Sequence, residues 1–311
     1  MSTYLGFDTS NYRTSVALFG DIIKSERKLL TVKSGKLGLR QNDAVFLHTK
    51  QMPIVLKNLF LKNPVDLKNI RAIGASTKPR DSIDSYMPCF LVGKNVAQSL
   101  STIIGVPFYE FSHQAGHIAA AAYSANSLEL INKKFIAFHV SGGTTEALLV
   151  TPSDNVFSVE IIAKTLDLNA GQVIDRLGNM LSFPFPSGEY IEKLAVKGKQ
   201  IKKVKPILKG NDCCLSGLEN LCQNLLANNL AEDVALYLLE YISMTIILMC
   251  KNLLKEHGNL PLLFSGGVMA NSIIKNNILN YFNALFASTE LSGDNALGIS
   301  LLTALKNGES L

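Results

Sequence analysis

Cysteine is scarce in this 311-residue chain, and its placement excludes two kinds of scaffold. The five cysteines (Cys89, Cys213, Cys214, Cys222 and Cys250) are odd in number and form no C-x-x-C pair. Neither a disulfide framework nor a zinc finger is expected, and a reducing compartment is. Histidine is equally sparse, at five. A dominant charge is missing too: the formal net charge is +5, with 18% charged residues. That balance permits an anionic substrate or a nucleic acid without requiring either. Long apolar runs are absent. The most apolar stretch, Tyr241–Cys250, is too short for a bilayer and follows Glu232, Asp233 and Glu240, so a buried helix is expected there. No cationic, apolar leader precedes the first apolar segment, and the expectation is a soluble, cytoplasmic protein without a membrane. At 47% hydrophobic, the chain can bury a core as one large domain or two lobes.

What is present is repetition. Phe135–Val150, FIAFHVSGGTTEALLV, reads strand, tight polar turn, strand. The turn Ser141-Gly142-Gly143-Thr144-Thr145 has two glycines that allow close backbone approach. Small residues there also leave backbone N–H groups unobstructed, which suits a phosphate. A second copy lies at Leu5–Phe19, LGFDTSNYRTSVALF. At one constant offset Phe7 falls on Phe138, Ser10 on Ser141 and Thr14 on Thr145. The repeat predicts two related lobes, 1–131 and 132–311, whose turns face each other across a cleft. Two ordinary β-hairpins are the alternative.

Strand and helix signals alternate through both halves. Strands are expected at Lys24–Leu30, Arg71–Ser76, Val106–Tyr109, Val156–Ala163, Pro261–Phe264 and Ala284–Ala287. Helices are expected from Asn42 or Asp43 to Lys62 (with Pro53 a possible kink), and over Gly93–Ile104, Gln114–Ser124 and Asn169–Leu181. Further helices are expected over Ser216–Ala227 and Glu232–Glu256, from Asn271, and over Asn295–Lys306. The class is α/β with two lobes, the last helix assigned to the second and packing back between them.

Three groups of residues carry chemistry. His113 and His117 lie four apart, so one helix face presents both imidazoles, either as ligands of one metal or as surface histidines. The missing Glu of H-E-x-x-H argues against peptidase chemistry. Asp294 enters the last helix as an N-cap or as a third ligand; two His and a carboxylate leave positions open for substrate oxygens. Ser265-Gly266-Gly267, before the Asn271 helix, is a tight turn or a nucleotide corner. Asp175 and Glu192 face solvent or accept ribose hydroxyls. The run Lys193–Lys209 holds seven lysines in seventeen residues, including Lys199, Lys202 and Lys203, either a solvated face or an RNA-phosphate contact.

These pieces, in this order, resemble the TsaD family, which transfers a threonylcarbamoyl group to an adenine of tRNA and was formerly labelled O-sialoglycoprotein endopeptidase. The marks are DTS at 8–10, HQAGH at 113–117, VSGG at 140–143, NAGQVIDR at 169–176, PSG at 186–188, LSGL at 215–218, SGGVMAN at 265–271 and SGDNA at 292–296. The resemblance implies the two-lobed actin/Hsp70/sugar-kinase fold. It implies that His113, His117 and Asp294 bind one metal, iron in the family, with zinc or magnesium as other candidates. It implies that His139, Val140, Ser141, Gly142, Gly143, Asp175, Gly188, Glu192 and Asn271, with the Gly266-Gly267 corner, line a site for ATP, AMP or an acyl-adenylate. tRNA, threonylcarbamoyl-adenylate and protein partners of a transfer complex are implied as well.

Two turns depart from the family pattern. The family's ETSCDET is DTSNYRT here, so Tyr12 and Arg13 stand where acids are usual. Its VSGGHT is VSGGTT, so Thr144 stands where a histidine is usual, and threonine does not titrate usefully. Asp8, Ser10, Arg13 and Thr144 are the catalytic candidates, Arg13 as a holder of phosphate or carboxylate. The expected activity is threonylcarbamoyl or related acyl transfer from an acyl-adenylate. The alternatives are a phosphotransferase or ATPase of the same fold and a non-catalytic nucleotide-binding subunit.

Overall fold

The computed structural model describes residues 2–10, 12–31, 39–288 and 295–309. They form two compact units: Met1–Lys133 with Thr151–Glu160 and Glu290–Leu311, and Lys134–Val150 with Ile161–Thr289.

The first unit contains β1 (Thr3–Ser10), β2 (Arg13–Gly20), β3 (Lys24–Leu29), α1 (Gln41–Lys62), β4 (Ile70–Lys78), α2 (Phe90–Ile104), β5 (Phe108–Ser112) and α3 (His113–Ser124). Its sheet has the order β3-β2-β1-β4-β5; β1 to β3 are antiparallel neighbours, and β4 and β5 run parallel to β1. Leu5, Phe7, Val16 and Leu18 of the hairpin pack with Met52, Val55 and Leu59 of α1 and Ala97 of α2. Nearly all of β1 is buried, as expected of a strand covered on both faces.

The second unit is built from β6 (Phe135–Val140), β7 (Thr145–Ser153), β8 (Val156–Lys164), α4 (Ala170–Met180), α5 (Gly188–Ala195), the short β9 (Leu208–Lys209) and β10 (Asp212–Cys213), α6 (Ser216–Leu226), α7 (Ala231–His257), β11 (Leu262–Ser265), α8 (Ser272–Leu279) and β12 (Ala284–Phe286). The tip of the β7–β8 hairpin is grouped with the first unit. Read from β8, the sheet order is β8-β7-β6-β11-β12, with β6–β7 antiparallel and β6, β11 and β12 parallel. That repeats the topology of the first sheet. The register repeats as well: Phe7 opposes Val16 as Phe138 opposes Ala147, and Thr9 opposes Thr14 as Val140 opposes Thr145. Phe138, Phe264 and Phe286 stack across the three parallel strands, with centroids 5.1 and 4.9 Å apart.

Three expectations need correction, and a fourth, the buried helix at 241–250, holds. The last helix, α9 (Asn295–Lys306), belongs to the first unit rather than the second, because it is buried from Asn295 to Ala304 against β1, β2, β4 and α3. The apolar stretch at 241–250 is part of α7, whose 27 residues are long enough for a membrane. It is a core helix all the same: 72% of its most apolar window is buried in the protein. Helix α1 starts at Gln41 with Arg40 at its cap, and Asp43 sits in the first turn, where negative charge suits the positive helix end. The strand expected at Val106–Tyr109 begins at Phe108, since Val106 is tied to the end of α2 by Ser101 through both its N–H and its carbonyl.

Candidate active site

In the first unit the site grows from the start of α3. Ser112 caps that helix, its Oγ accepting the Ala115 N–H at 3.1 Å, as the sequence predicts. His113 and His117 then stand one turn apart with their Nε2 atoms 3.0 Å from each other. The opposite nitrogen of His113, Nδ1, lies 2.8 Å from Asp8 Oδ1. Asp8 is 1% exposed, and the same oxygen accepts from Ser76 Oγ at 2.5 Å and Asn295 Nδ2 at 2.8 Å. Burial alone would raise the Asp8 carboxyl; the neighbouring His113 charge and the bonds from His113, Ser76 and Asn295 outweigh it and hold the carboxyl well below the usual carboxylate range.

A cavity of about 300 Å³ opens over these groups, lined among others by Ser10, Tyr12, Arg13, His113, His117 and Asn295. Two imidazole nitrogens 3.0 Å apart fit two ligands sharing one ion at ~2.0–2.1 Å from each. The third expected ligand, Asp294, lies outside the described residues, among which no cluster of three or more His, Cys, Asp or Glu side chains forms. Asp8, a catalytic candidate from the sequence, also borders this cavity, but it is 1% exposed and bonded to His113.

In the second unit the turn between β6 and β7 is closed by its own serine. Ser141 Oγ accepts the N–H groups of Gly143 at 3.2 Å and Thr144 at 3.1 Å, so these two donors are already engaged. The expectation of unobstructed turn donors is corrected to that extent. The glycines are another matter. A Cβ built on Gly142, Gly143, Gly188 or Gly267 would meet nothing within 4 Å, and none of the four has a positive φ. Neither packing nor conformation within this chain calls for glycine there. Gly266 differs: its φ is +98° and a Cβ would lie 2.3 Å from the Val140 carbonyl oxygen, so the fold itself requires it. Ser265 Oγ donates to the Phe138 carbonyl at 3.2 Å and stands 3.1 Å from His139 Nδ1, linking this corner to β6.

Asp175, Glu192 and Asn271 have structural partners that the sequence does not reveal. Asp175 Oδ1 accepts the Ser187 N–H at 2.7 Å and ties α4 to the start of α5. Glu192 Oε1 accepts the Ser272 N–H and Oγ at 2.8 and 2.5 Å, and Asn271 Oδ1 accepts from Ile273 and Ile274 at 3.1 Å each. Both therefore cap α8. The solvated-face reading of the two acids gives way to a bracing role that uses one oxygen of each.

Sequence comparison decides the family. The TsaD family, described as tRNA N6-adenosine threonylcarbamoyltransferase, matches residues 25–301. This chain belongs to that family. Among TsaD relatives, the tRNA N6-adenosine threonylcarbamoyltransferase of Carboxydothermus hydrogenoformans is 29% identical over 95% of this chain and 90% of its own length. That of Thermotoga neapolitana is 27% identical over 95% and 91%. A Thermoplasma acidophilum protein named as a probable bifunctional tRNA threonylcarbamoyladenosine biosynthesis protein is 25% identical over 89% of this chain, which spans only half of that longer protein. Among solved structures, HypF of T. kodakarensis superposes with a TM-score of 0.63 at 14% identity, over 98% of this chain and 47% of HypF. Component A of the Acidaminococcus fermentans (R)-2-hydroxyglutaryl-CoA dehydratase gives 0.57 at 14%, over 99% and 100%. At such identities the likeness is one of fold, the actin/Hsp70/sugar-kinase type.

The departures of this TsaD chain fall at its turns. Arg13 and Tyr12 line the histidine cavity, where the family pattern has acids. In the lysine run, Lys202 places its ammonium 5.0 Å from the centroid of the Tyr237 ring on α7, and Lys193 pairs with Glu189 on the exposed face of α5. A residue that sequence reading passed over is Asp167, which accepts from Leu168, Leu215 and Ser216 N–H groups and from Ser216 Oγ, holding the LSGL segment.

Proposed function

We propose that this chain transfers a threonylcarbamoyl group from threonylcarbamoyl-adenylate to the exocyclic amine of an adenosine in tRNA. The observation that carries this reading is the convergence of His113 and His117 Nε2 to 3.0 Å over a cavity, in a chain of the TsaD family. In the reaction the adenine N6 attacks the carbamoyl carbon. A C–N bond forms as the C–O bond to the phosphate breaks, AMP departs, and the N6 proton passes to solvent.

His113 and His117 would hold a metal, iron by family resemblance, together with Asp294. When bound, such an ion supplies Lewis acidity to a substrate carbonyl. Arg13, at the cavity wall, is suited to hold an anionic group of the donor through its fixed fork of N–H donors. The bare faces of Gly142, Gly143, Gly188 and Gly267 are suited to the nucleotide. Lys199, Lys202 and Lys203 are suited to tRNA phosphates, and partner subunits of a transfer complex and a cytoplasmic setting go with this reading.

Phosphotransfer is less well supported, because it needs an available carboxylate in the first turn. Asp8 is buried there and committed to His113, Ser76 and Asn295.

The test supplies the acyl-adenylate and unmodified tRNA to the metal-loaded protein and follows threonylcarbamoyladenosine by mass spectrometry. Product that disappears with His117→Ala is expected. Arg13→Ala should lower turnover, whereas Arg13→Glu combined with Thr144→His should raise it only if Arg13 has no role in binding the donor anion. A fully loaded protein that forms no product would overturn the assignment.

A further inference from the structure

Four elements of the first unit converge on a single oxygen atom. Asp8 Oδ1, at the end of β1, takes donors from Ser76 of β4, His113 of α3 and Asn295 of α9 at 2.5, 2.8 and 2.8 Å. Its partner oxygen Oδ2 has the Ser10 N–H at 3.4 Å. A side chain that is 1% exposed and so engaged is poorly placed to touch a substrate.

Its effect passes through the imidazole instead. An ionised carboxylate only accepts hydrogen bonds, so the His113 nitrogen facing it must carry the proton. That nitrogen is Nδ1, which in the neutral ring leaves the lone pair on Nε2, the atom 3.0 Å from His117 Nε2. In the metal-free protein the pair is then satisfied by the Nε2–H of His117 donating to His113 Nε2. Asn295 Nδ2, 2.6 Å from His113 Nδ1, faces the same carboxylate oxygen as the ring and can bond to the ring only where Nδ1 carries no proton. It closes the other side of the imidazole.

We propose that Asp8 is a positioning residue: it holds His113 in the Nδ1-protonated tautomer and aims Nε2 at the point shared with His117 Nε2. The consequence for metal affinity rests on the metal reading above; the tautomer does not. A carboxylate behind a ligating histidine raises ligand basicity and fixes ring orientation, and its loss costs ~10–100-fold in metal affinity. Ser76 and Asn295 keep Asp8 ionised and immobile, at one remove further from the cavity.

The experiment has two arms on the full chain. In metal-free protein carrying nitrogen-labelled histidine, long-range nitrogen–proton correlation spectra report the tautomer of His113, assigned by its loss in His113→Gln. The Nδ1–H form is expected in the unsubstituted chain, and an Nε2–H form would overturn the proposal with no variant of Asp8 needed. In the second arm, Zn²⁺ affinity is measured by competition with a chromogenic chelator. Asp8→Asn should bind ~10–100-fold more weakly, with a rising share of the Nε2–H form. Ser76→Ala, which leaves the carboxylate in place, should lose less, and it serves with the unsubstituted chain if Asp8→Asn does not fold. Unchanged Zn²⁺ affinity and tautomer in folded Asp8→Asn would remove the positioning role while leaving the metal reading standing. Failure of the unsubstituted chain to bind Zn²⁺ would remove the metal reading, with the tautomer still deciding the role of Asp8.

Discussion

Gly298 of α9 lies against Gly116 of α3 so closely that a Cβ on Gly298 would come within 1.9 Å of the Gly116 carbonyl oxygen. This approach lets Asn295 reach Asp8, and a Cβ on Gly116 would in turn collide with the Asn295 side chain at 2.5 Å. Gly298→Ala should therefore destabilise the protein by ~1–3 kcal/mol through overpacking. It should also weaken metal binding, because α9 is pushed off α3. Urea unfolding and chelator competition measure the two effects; a Gly298→Ala chain as stable as the original would mean the helices can separate at little cost.

Gly143 has open space where a side chain would go. Gly143→Val should leave stability within about 0.5 kcal/mol, as for a surface change, apart from a modest backbone effect. It should weaken adenine-nucleotide affinity at least ~10-fold by blocking close approach of the phosphates. Calorimetric titration with ATP and AMP reads this directly, and unchanged affinity would return the turn to a plain hairpin.

His48 is fully buried on α1, with Nδ1 2.8 Å from Thr14 Oγ1. Burial lowers its pKa from 6.5, against smaller raising effects of the Ser10 backbone and the Asp8 charge. A folded value below the unfolded one means its contribution is fully present above pH 6.5 and is lost as pH falls from there through the folded value. Stability measured by urea unfolding should therefore decline on acidification from pH 7, and less so in His48→Asn. Parallel pH profiles for the two proteins would contradict this.

For the lysine run, tRNA affinity should fall steeply with salt. Changing Lys199, Lys202 and Lys203 to Gln should make the log–log slope shallower by up to ~0.9 for each phosphate contact removed. Lys202 is partly committed to Tyr237, so Lys199 and Lys203 should account for most of the change. A slope indifferent to the triple change would make the run a solvated face.

Much of this architecture is legible before any coordinates. The constant offset between the two hairpins is a pairing register written twice, and Thr9–Thr14 and Val140–Thr145 realise it strand for strand. The four-residue spacing of His113 and His117 likewise becomes one helix face. What stays hidden depends on distant contacts. Asp8 and His113 are 105 positions apart, and Asn295 is 287 from Asp8. An acid beside a hydroxyl-rich turn reads as substrate-facing, and an amide opening a helix reads as nothing more than a helix start. The lobe of α9 is hidden for a related reason: apolarity on every side announces burial but not against which sheet.

The placement of α9 has a consequence for how the chain comes off the ribosome. The second unit is nearly contiguous, and all its residues are made before Asn295 emerges. The first unit starts earliest and finishes last, since β1, β2 and β4 wait for α9 to cover them. Until then Asp8 has no Asn295 beside it. The histidine pocket therefore matures only once α9 has emerged, after the second unit has had time to fold.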